Sequence, residues 1–253
     1  MRLVGTARRH DKDSGAVAGR ASFSQSCEEN ADAGTRECDY VSPPNLMLGY
    51  SDRLNHALAF AAKHHDRQVR KGTSLPYVTH PASVALILTR YGRDDETIMA
   101  GILHDVIEDC IRDGWTREML EERIAEKFGD TVLDAVLEVT QRKYDEEGNE
   151  FDKDERKADY LHRLATASDR ARWVCAADKL HNGNSILTDL RRTVDVDSVW
   201  GRFAVGREGT IRWYRAVYER LSEVGFKAPI LDELRGVAEA LEKYSTASAA
   251  MVR

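Results

Sequence analysis

Four ionisable side chains lie within six positions of an otherwise apolar segment. The segment MAGILHDVIEDC contains His104 and Asp105, and Glu108 and Asp109 follow them at a spacing of four residues. Burial of an unpaired imidazole or carboxylate among Ile, Leu and Val side chains is costly, so these groups need partners. Such a density of ionisable groups on an apolar helix is typical of a functional site.

Two more residues complete a donor set that suits a metal ion. His80 stands just before Pro81 at the end of a loop, and Asp178 follows an apolar run in WVCAADKLHN. With His104 and Asp105 they supply two imidazoles and two carboxylates, a set suited to Mn²⁺, Fe²⁺ or Zn²⁺ with positions left for water and substrate. Because these residues lie on three segments, the prediction depends on a fold that brings the segments together.

Each candidate also has a simpler explanation. His104 alone would more often be a hydrogen-bonded core histidine than a ligand. Glu108 and Asp109 could form the solvated edge of a helix, and Arg70 and Lys71 could be solvated surface. The combination of His104-Asp105 with the later ADKLHN segment favours the metal site.

Helical periodicity dominates the segments that carry these residues. Gly92 and Gly129 stand where two of the helices should end. The apolar pattern predicts helices at 51–69, 84–91, 94–110, 119–128, 132–139, 160–164, 169–191, 206–221 and 229–244, with polar loops at 70–81 and 144–155.

Proline usage supports a helical fold. The 253 residues contain five prolines, and none lies between residues 82 and 228. Charged residues make up 32% of the chain, above the usual value of about 25%. Few helix breakers and many charges indicate a mostly helical protein with solvated outer faces.

The chain divides into a domain and two tails. Residues 1–45 are rich in Gly, Ala, Ser and charged residues, show no sustained apolar period and end at the segment SPPN. We expect a disordered tail at 1–45, a folded domain at 46–246 and a short C-terminal tail at 247–253.

Composition argues against several classes of protein. The chain has no apolar run of about 18 residues and no apolar N-terminal segment, so we expect neither a membrane span nor a secretory signal. A net charge of −6 gives no global reason to bind nucleic acid. The four cysteines match no zinc or redox spacing. We expect a reduced cytoplasmic protein with no nucleic-acid or membrane partner.

The ordered motifs resemble the HD-domain metal-dependent phosphohydrolases, whose ligands follow the order His, His-Asp, Asp. Residues 51–192 are similar to the (p)ppGpp hydrolase domain of the RelA/SpoT homologues, and VWGRFAVGREGTIRWYR is similar to single-domain small alarmone hydrolases. The resemblance implies an all-α HD-domain helical bundle with a metal site between helices. The blocks that carry it are RKGTSLPYVTHPASVALIL, ETIMAGILHDVIEDC, IAEKFGDTVLDAVLEVT and ARWVCAADKLHN.

The resemblance also implies roles for individual residues. One metal ion, usually Mn²⁺ although other divalent ions are alternatives, would be held by His80, His104, Asp105 and Asp178. Glu108 and Asp109 would orient or deprotonate the attacking water and assist the leaving group. Arg70 would pack on the purine with Lys71 beside it, and Asn182 would lie near the ribose and the metal.

The implied reaction removes pyrophosphate from the 3′ position of a guanosine alarmone, so the partner is a small-molecule nucleotide. Two departures from the family pattern, Lys179 and the Gly183-Asn184-Ser185 run, lie on the substrate side and leave guanine against adenine open. The alternatives are an HD phosphohydrolase acting on an adenosine alarmone or a 5′-nucleotide, and a non-catalytic nucleotide-binding module. The sequence leaves the oligomeric state open.

Overall fold

The computed structural model of the chain describes residues 49–112 and 114–245. All of them belong to one compact unit, Pro43–Arg253. The predicted tails at 1–45 and 247–253 lie outside the described residues, as do Cys27 and Cys38.

Eleven helices form within the described residues, which contain isolated β-bridges and no strand. The predicted all-α fold is confirmed. The helices are α1 Asp52–His64, α2 Thr79–Arg90, α3 Asp95–Leu103, α4 Val106–Asp109, α5 Arg117–Phe128, α6 Asp130–Val139, α7 Lys153–Arg163, α8 Asp169–Arg192, α9 Val196–Trp200, α10 Gly206–Glu223 and α11 Pro229–Glu242.

Several predicted boundaries are wrong. The first helix ends at His64 rather than at 69, because the chain turns there into the following loop. That loop ends before 81, since α2 begins at Thr79 and places His80 in its first turn. The polar segment 144–155 becomes helical at Lys153, where Asp152 and Glu155 form a capping box. The five-residue helix α9 is too short to show a period and was not predicted.

The predicted helix at 94–110 is divided into α3 and α4 at His104-Asp105. The Nδ1 atom of His104 lies 2.8 Å from the carbonyl oxygen of Gly101. In an uninterrupted helix that carbonyl accepts the backbone N–H of residue 105. A side chain that competes for a helix carbonyl loosens the ladder locally, and here it does so at the two candidate ligands.

Helix α8 is the central element of the bundle. It packs against α2, α3, α6 and α11, with further contacts to α9 and α10. Most of its residues between Ala171 and Leu190 are buried, and Ser168 caps its N-terminus by accepting the N–H of Ala171. Side chains of α8 therefore meet side chains from several other helices.

The close approach of α8 to α10 and α11 requires a residue without a side chain. A Cβ atom on Gly183 would lie 2.4 Å from Cγ1 of Val237 and 2.9 Å from Cε1 of Tyr214. Within the described ranges, no helix is long and apolar enough to cross a membrane.

Replacement of Gly183 by alanine should destabilise the protein by about 1–2 kcal/mol, because the crowding of a packed core outweighs the gain in helix propensity. The matched control is Gly236→Ala on α11, where a Cβ would meet nothing within 4 Å. That control should gain about 0.5–1 kcal/mol. Denaturant unfolding measures both, and equal gains for the two variants would contradict the packing described here.

Candidate active site

Four side chains from α2, the α3–α4 junction and α8 converge on one point. The Nε2 atom of His80 lies 3.3 Å from Nε2 of His104, 3.1 Å from Oδ1 of Asp178 and 3.4 Å from Oδ2 of Asp105. The Nε2 atom of His104 lies 3.1 Å from Oδ2 of Asp105 and 3.8 Å from Oδ1 of Asp178. The structure thus brings together all four residues that the sequence analysis proposed as metal ligands. We call them the ligand cluster.

The ligand cluster fits a divalent cation. Ligand atoms about 2.1 Å from a shared ion are separated by roughly 3.0–3.4 Å in octahedral and tetrahedral sites, close to the separations observed. Two carboxylates that face two imidazole nitrogens in a buried space also need a positive charge between them. Accordingly, although burial alone would lower it, Asp105 and Asp178 raise the pKa of His104 well above its ordinary value.

Hydrogen bonds on the outer side orient both imidazole rings. In the neutral ring that a metal ion would bind, Nδ1–H of His104 donates to the carbonyl of Gly101, and Nε2 carries the lone pair. The Nδ1 atom of His80 lies 2.8 Å from Nδ1 of His181. If Nε2 of His80 is the ligand atom, its Nδ1–H donates to His181. Burial and the neighbouring His80 lower the pKa of His181 to about 4, which keeps His181 neutral and able to accept.

Both carboxylates are also held from outside. The hydroxyl of Tyr77 donates to Oδ2 of Asp105 at 2.6 Å. The side-chain amide of Asn182 and the ammonium of Lys179 donate to the two oxygens of Asp178. Burial by itself would raise the pKa of both carboxyls, but His104 lowers that of Asp105 and Lys179 lowers that of Asp178. Both groups therefore stay ionised.

Glu108 and Asp109 lie beside the ligand cluster. Both line a cavity, described below, that three residues of the ligand cluster also line. Glu108 accepts the backbone N–H of Gln141 through Oε2 at 3.0 Å. Burial, with the nearby Asp105 and Asp109, raises the pKa of Glu108 to about 7. Burial and Asp105 likewise raise the pKa of Asp109. A carboxyl with a pKa near neutrality can both accept and release a proton.

A tight loop between α1 and α2 carries the proposed substrate residues. Backbone hydrogen bonds from Arg70 to Leu75 and from Tyr77 to Gln68, each 2.9 Å long, close the loop into a hairpin-like turn. Arg70 donates to Oδ1 of Asn182 at 2.7 Å, and its guanidinium lies 5.6 Å from the ring centre of Tyr77. The loop is therefore attached to α8 beside the ligand cluster.

A cavity of about 410 Å³ opens between this loop, α8 and α10. Its volume suits a small-molecule ligand. Lys71 and the other candidate site residues, apart from His80, line it. The remaining wall combines aliphatic side chains with cationic and aromatic ones, which include Lys157, Tyr160, Lys179, Arg202, Trp213 and Tyr214.

Several residues at the site were missed by sequence reasoning. A candidate ligand or acid is contacted by each of three further residues, Tyr77, Lys179 and Gln141. The sequence analysis did not predict these contacts. Tyr77 carried a weak signal, since it lies three residues before His80 in the quoted loop motif. The contact from Gln141 is made by its backbone, which no pattern of residue types would reveal.

Comparison with known proteins gives consistent matches. The sequence profile of the HD domain matches residues 57–211, more than half of the chain. The protein named guanosine-3′,5′-bis(diphosphate) 3′-pyrophosphohydrolase MESH1 from Drosophila melanogaster is 32% identical over 174 residues, covering 68% of this chain and 86% of that protein. The Aquifex aeolicus protein with the same enzymatic name is 36% identical over 138 residues. That match covers 53% of this chain and only 18% of the Aquifex protein.

Solved structures share the fold. One, described as a metazoan ortholog of SpoT that hydrolyses ppGpp, matches with a TM-score of 0.59 and 30% identity, covering 75% of this chain and 96% of that one. The crystal structure of lmo0812 from Listeria monocytogenes matches with a TM-score of 0.54 and 30% identity, covering 65% of this chain and 99% of that one.

Removal of the Tyr77 hydroxyl should weaken divalent-metal binding, because Asp105 loses the hydrogen bond that orients it. We expect Tyr77→Phe to lower the affinity for Mn²⁺ by about tenfold or more in a calorimetric titration. Tyr91→Phe is the matched control, since Tyr91 also donates to a carboxylate, Glu233, away from the ligand cluster. Equal Mn²⁺ affinity in the two variants would show that Tyr77 does not support a ligand.

Proposed function

The chain belongs to the HD-domain family, in the group that includes MESH1 and SpoT, and from this premise we propose that it is a metal-dependent guanosine alarmone 3′-pyrophosphohydrolase. It would convert ppGpp or pppGpp to GDP or GTP and release pyrophosphate. The observation that carries the proposal is the ligand cluster itself, three of whose residues line a cavity of suitable size together with the acids Glu108 and Asp109. The matches to named pyrophosphohydrolases give the substrate class.

His80, His104, Asp105 and Asp178 would hold one divalent ion, for which we propose Mn²⁺. The donor set of two imidazoles and two carboxylates suits Mn²⁺ as well as Fe²⁺ and Zn²⁺. When bound, the ion supplies Lewis acidity to the phosphate and makes water a better nucleophile at neutral pH.

Glu108 is placed to take the proton of the attacking water. The backbone of Gln141 fixes one oxygen of Glu108 at the edge of the cavity, and its pKa of about 7 suits a general base near neutral pH. In the reaction, a bond forms between the water oxygen and the phosphorus attached to the 3′ oxygen. The bond between that phosphorus and the 3′ oxygen breaks, so the 3′ oxygen of the nucleotide is the leaving group and the pyrophosphate released carries the oxygen of the water.

Asp109 is the candidate for the leaving-group side. The 3′ oxygen of the ribose leaves as an alkoxide and must gain a proton. Since desolvation and the nearby Asp105 raise the pKa of Asp109, its carboxyl holds a proton more readily than a free aspartate and can pass it to the departing oxygen.

The nucleoside would be held by the loop and by α8. The planar guanidinium of Arg70 is suited to stacking on a purine, and its hydrogen bond to Asn182 fixes its position. Lys71 adds positive charge at the cavity, and Asn182 is placed between the ligand cluster and Arg70, where the ribose would lie. The cytoplasmic location and the lack of a nucleic-acid partner stay predictions from composition.

Purified protein with Mn²⁺ should release pyrophosphate from ppGpp, and a chelator in excess should abolish that release because the ligand cluster loses its ion. Re-addition of Mn²⁺ should restore it. A coupled pyrophosphate assay measures the rate. Protein with bound metal that releases no pyrophosphate from ppGpp would refute the proposal, and release from an adenosine alarmone or a 5′-nucleotide instead would favour the alternative hydrolases.

Glu108→Gln should reduce the turnover rate by at least about 100-fold, because the amide cannot accept the proton of the water. Affinity for Mn²⁺ and for the nucleotide should change little, since Glu108 is not in the ligand cluster. Glu122→Gln, on the exposed face of α5, is the control and should keep full turnover. Undiminished turnover in Glu108→Gln would remove Glu108 from the mechanism and would favour another base.

A further inference from the structure

Helix α8 presents one continuous row of polar side chains to the cavity. Asp178, Asn182, Ser185 and Asp189 all line the cavity and are spaced by four, three and four residues. This spacing places side chains on a single helix face. The eleven-residue span from Asp178 to Asp189 corresponds to about 16 Å along the helix axis. The row therefore begins at the ligand cluster and ends at a second carboxylate far along the cavity.

Asp189 is paired with an arginine that helps to close that end of the cavity. Nη1 of Arg202 lies 2.5 Å from Oδ2 of Asp189, and both side chains are only partly exposed. Arg202 also reaches the loop that carries Arg70, since a Cβ on Gly72 would lie 2.3 Å from Nε of Arg202. Gly72 has a φ of +73°, so its conformation and its lack of a side chain both suit this contact. The position of Asp189 is thus fixed from one side by Arg202.

The charge of Asp189 restricts what it can bind. Phosphate groups are repelled by a carboxylate and are better placed near Lys71, Lys157 and Lys179 on the other walls. An ionised carboxylate only accepts hydrogen bonds, so its ligand must present N–H or O–H donors. A nucleotide whose 3′-phosphate lies at the ligand cluster and whose ribose lies near Asn182 would direct its base toward Asp189.

We propose that Asp189, oriented by Arg202, binds the Watson–Crick edge of the base and selects guanine over adenine. The inference rests on the proposed function, to which it adds the residue that would select the guanine base. Guanine presents two adjacent donors, N1–H and the 2-amino group, which match the two oxygens of a carboxylate. Adenine presents an acceptor at N1 and a C–H at position 2, so it would offer the Asp189 carboxylate no N–H donor there and would set the N1 lone pair against its negative charge. A site built to bind N–H groups rejects strongly a ligand that lacks them.

The experiment compares three bases on the full chain. Pyrophosphate release is measured with guanosine, inosine and adenosine 3′,5′-bis(diphosphates) for the wild-type protein, Asp189→Asn and Asp189→Ser. The control is Asp197→Asn, because Asp197 forms a similar ion pair with Arg207 and does not line the cavity. The affinities for guanosine and adenosine 3′,5′-bisphosphates are measured in parallel by calorimetry.

Wild type should prefer guanosine to adenosine by about 100-fold or more in kcat/KM, with inosine between them because it lacks the 2-amino group. Asp189→Asn should lower kcat/KM for guanosine by about tenfold or more and raise it for adenosine, since an amide can both accept from the 6-amino group and donate to N1. Asp189→Ser should lower the preference for guanosine over adenosine without raising kcat/KM for adenosine. Asp197→Asn should keep the wild-type preference.

Equal losses for all three bases in both Asp189 variants would overturn the inference, because they would assign Asp189 only to holding Arg202. A wild-type preference for adenosine would overturn it as well. The binding arm separates the two hypotheses. Base-selective affinity that depends on Asp189, without any pyrophosphate release, would refute the proposed function and sustain the inference. Pyrophosphate release without base selectivity would sustain the proposed function and refute the inference.

Discussion

The interaction on which this structure depends is the mutual repulsion of two carboxylates, the half-buried Asp105 and the buried Asp178, whose oxygens face the same pair of imidazoles. Such an arrangement is costly unless a cation lies between the groups and their remaining atoms are satisfied by hydrogen bonds. Each of the four side chains in the ligand cluster has an outer partner that meets the second requirement. The fold therefore holds the cluster in place, and a divalent ion bound there, as we propose, would meet the first requirement.

The central helix α8 holds much of this cluster in place. The helix supplies Asp178 together with its partners Lys179 and Asn182, and its neighbour His181 supports the ring of His80 on α2. The α3–α4 junction supplies the other two ligands, and its helical ladder is loosened where His104 takes the carbonyl of Gly101. The packing of α8 against its neighbours thus fixes the distances between these side chains, on which the proposed metal binding and proton transfer depend. Past Asn182, the same helix continues along the wall of the cavity.

The residue types at the site could be read from the sequence, because histidine and carboxylates are rare in apolar helical segments. Their convergence could not, since His80, His104 and Asp178 meet only through the packing of α2 and α3 on α8. Sequence periodicity also predicted one helix in place of α3 and α4, because the interruption coincides with a side-chain hydrogen bond and not with a helix-breaking residue. The roles of Tyr77 and Asp189 depend on how the loop between α1 and α2 and the segment around α9 fold over the cavity. Sequence periodicity carries no information about the fold of these two segments.

Anomalous diffraction at the manganese edge, from crystals grown with Mn²⁺, tests directly whether the ligand cluster binds a divalent ion. We expect one strong peak about 2.1 Å from Nε2 of His80, Nε2 of His104, Oδ2 of Asp105 and Oδ1 of Asp178. Glu108 and Asp109 should lie beside that ion without taking the place of a ligand. Crystals whose solution contains Mn²⁺ and that show no peak among these four atoms, or a peak held by other residues, would contradict it.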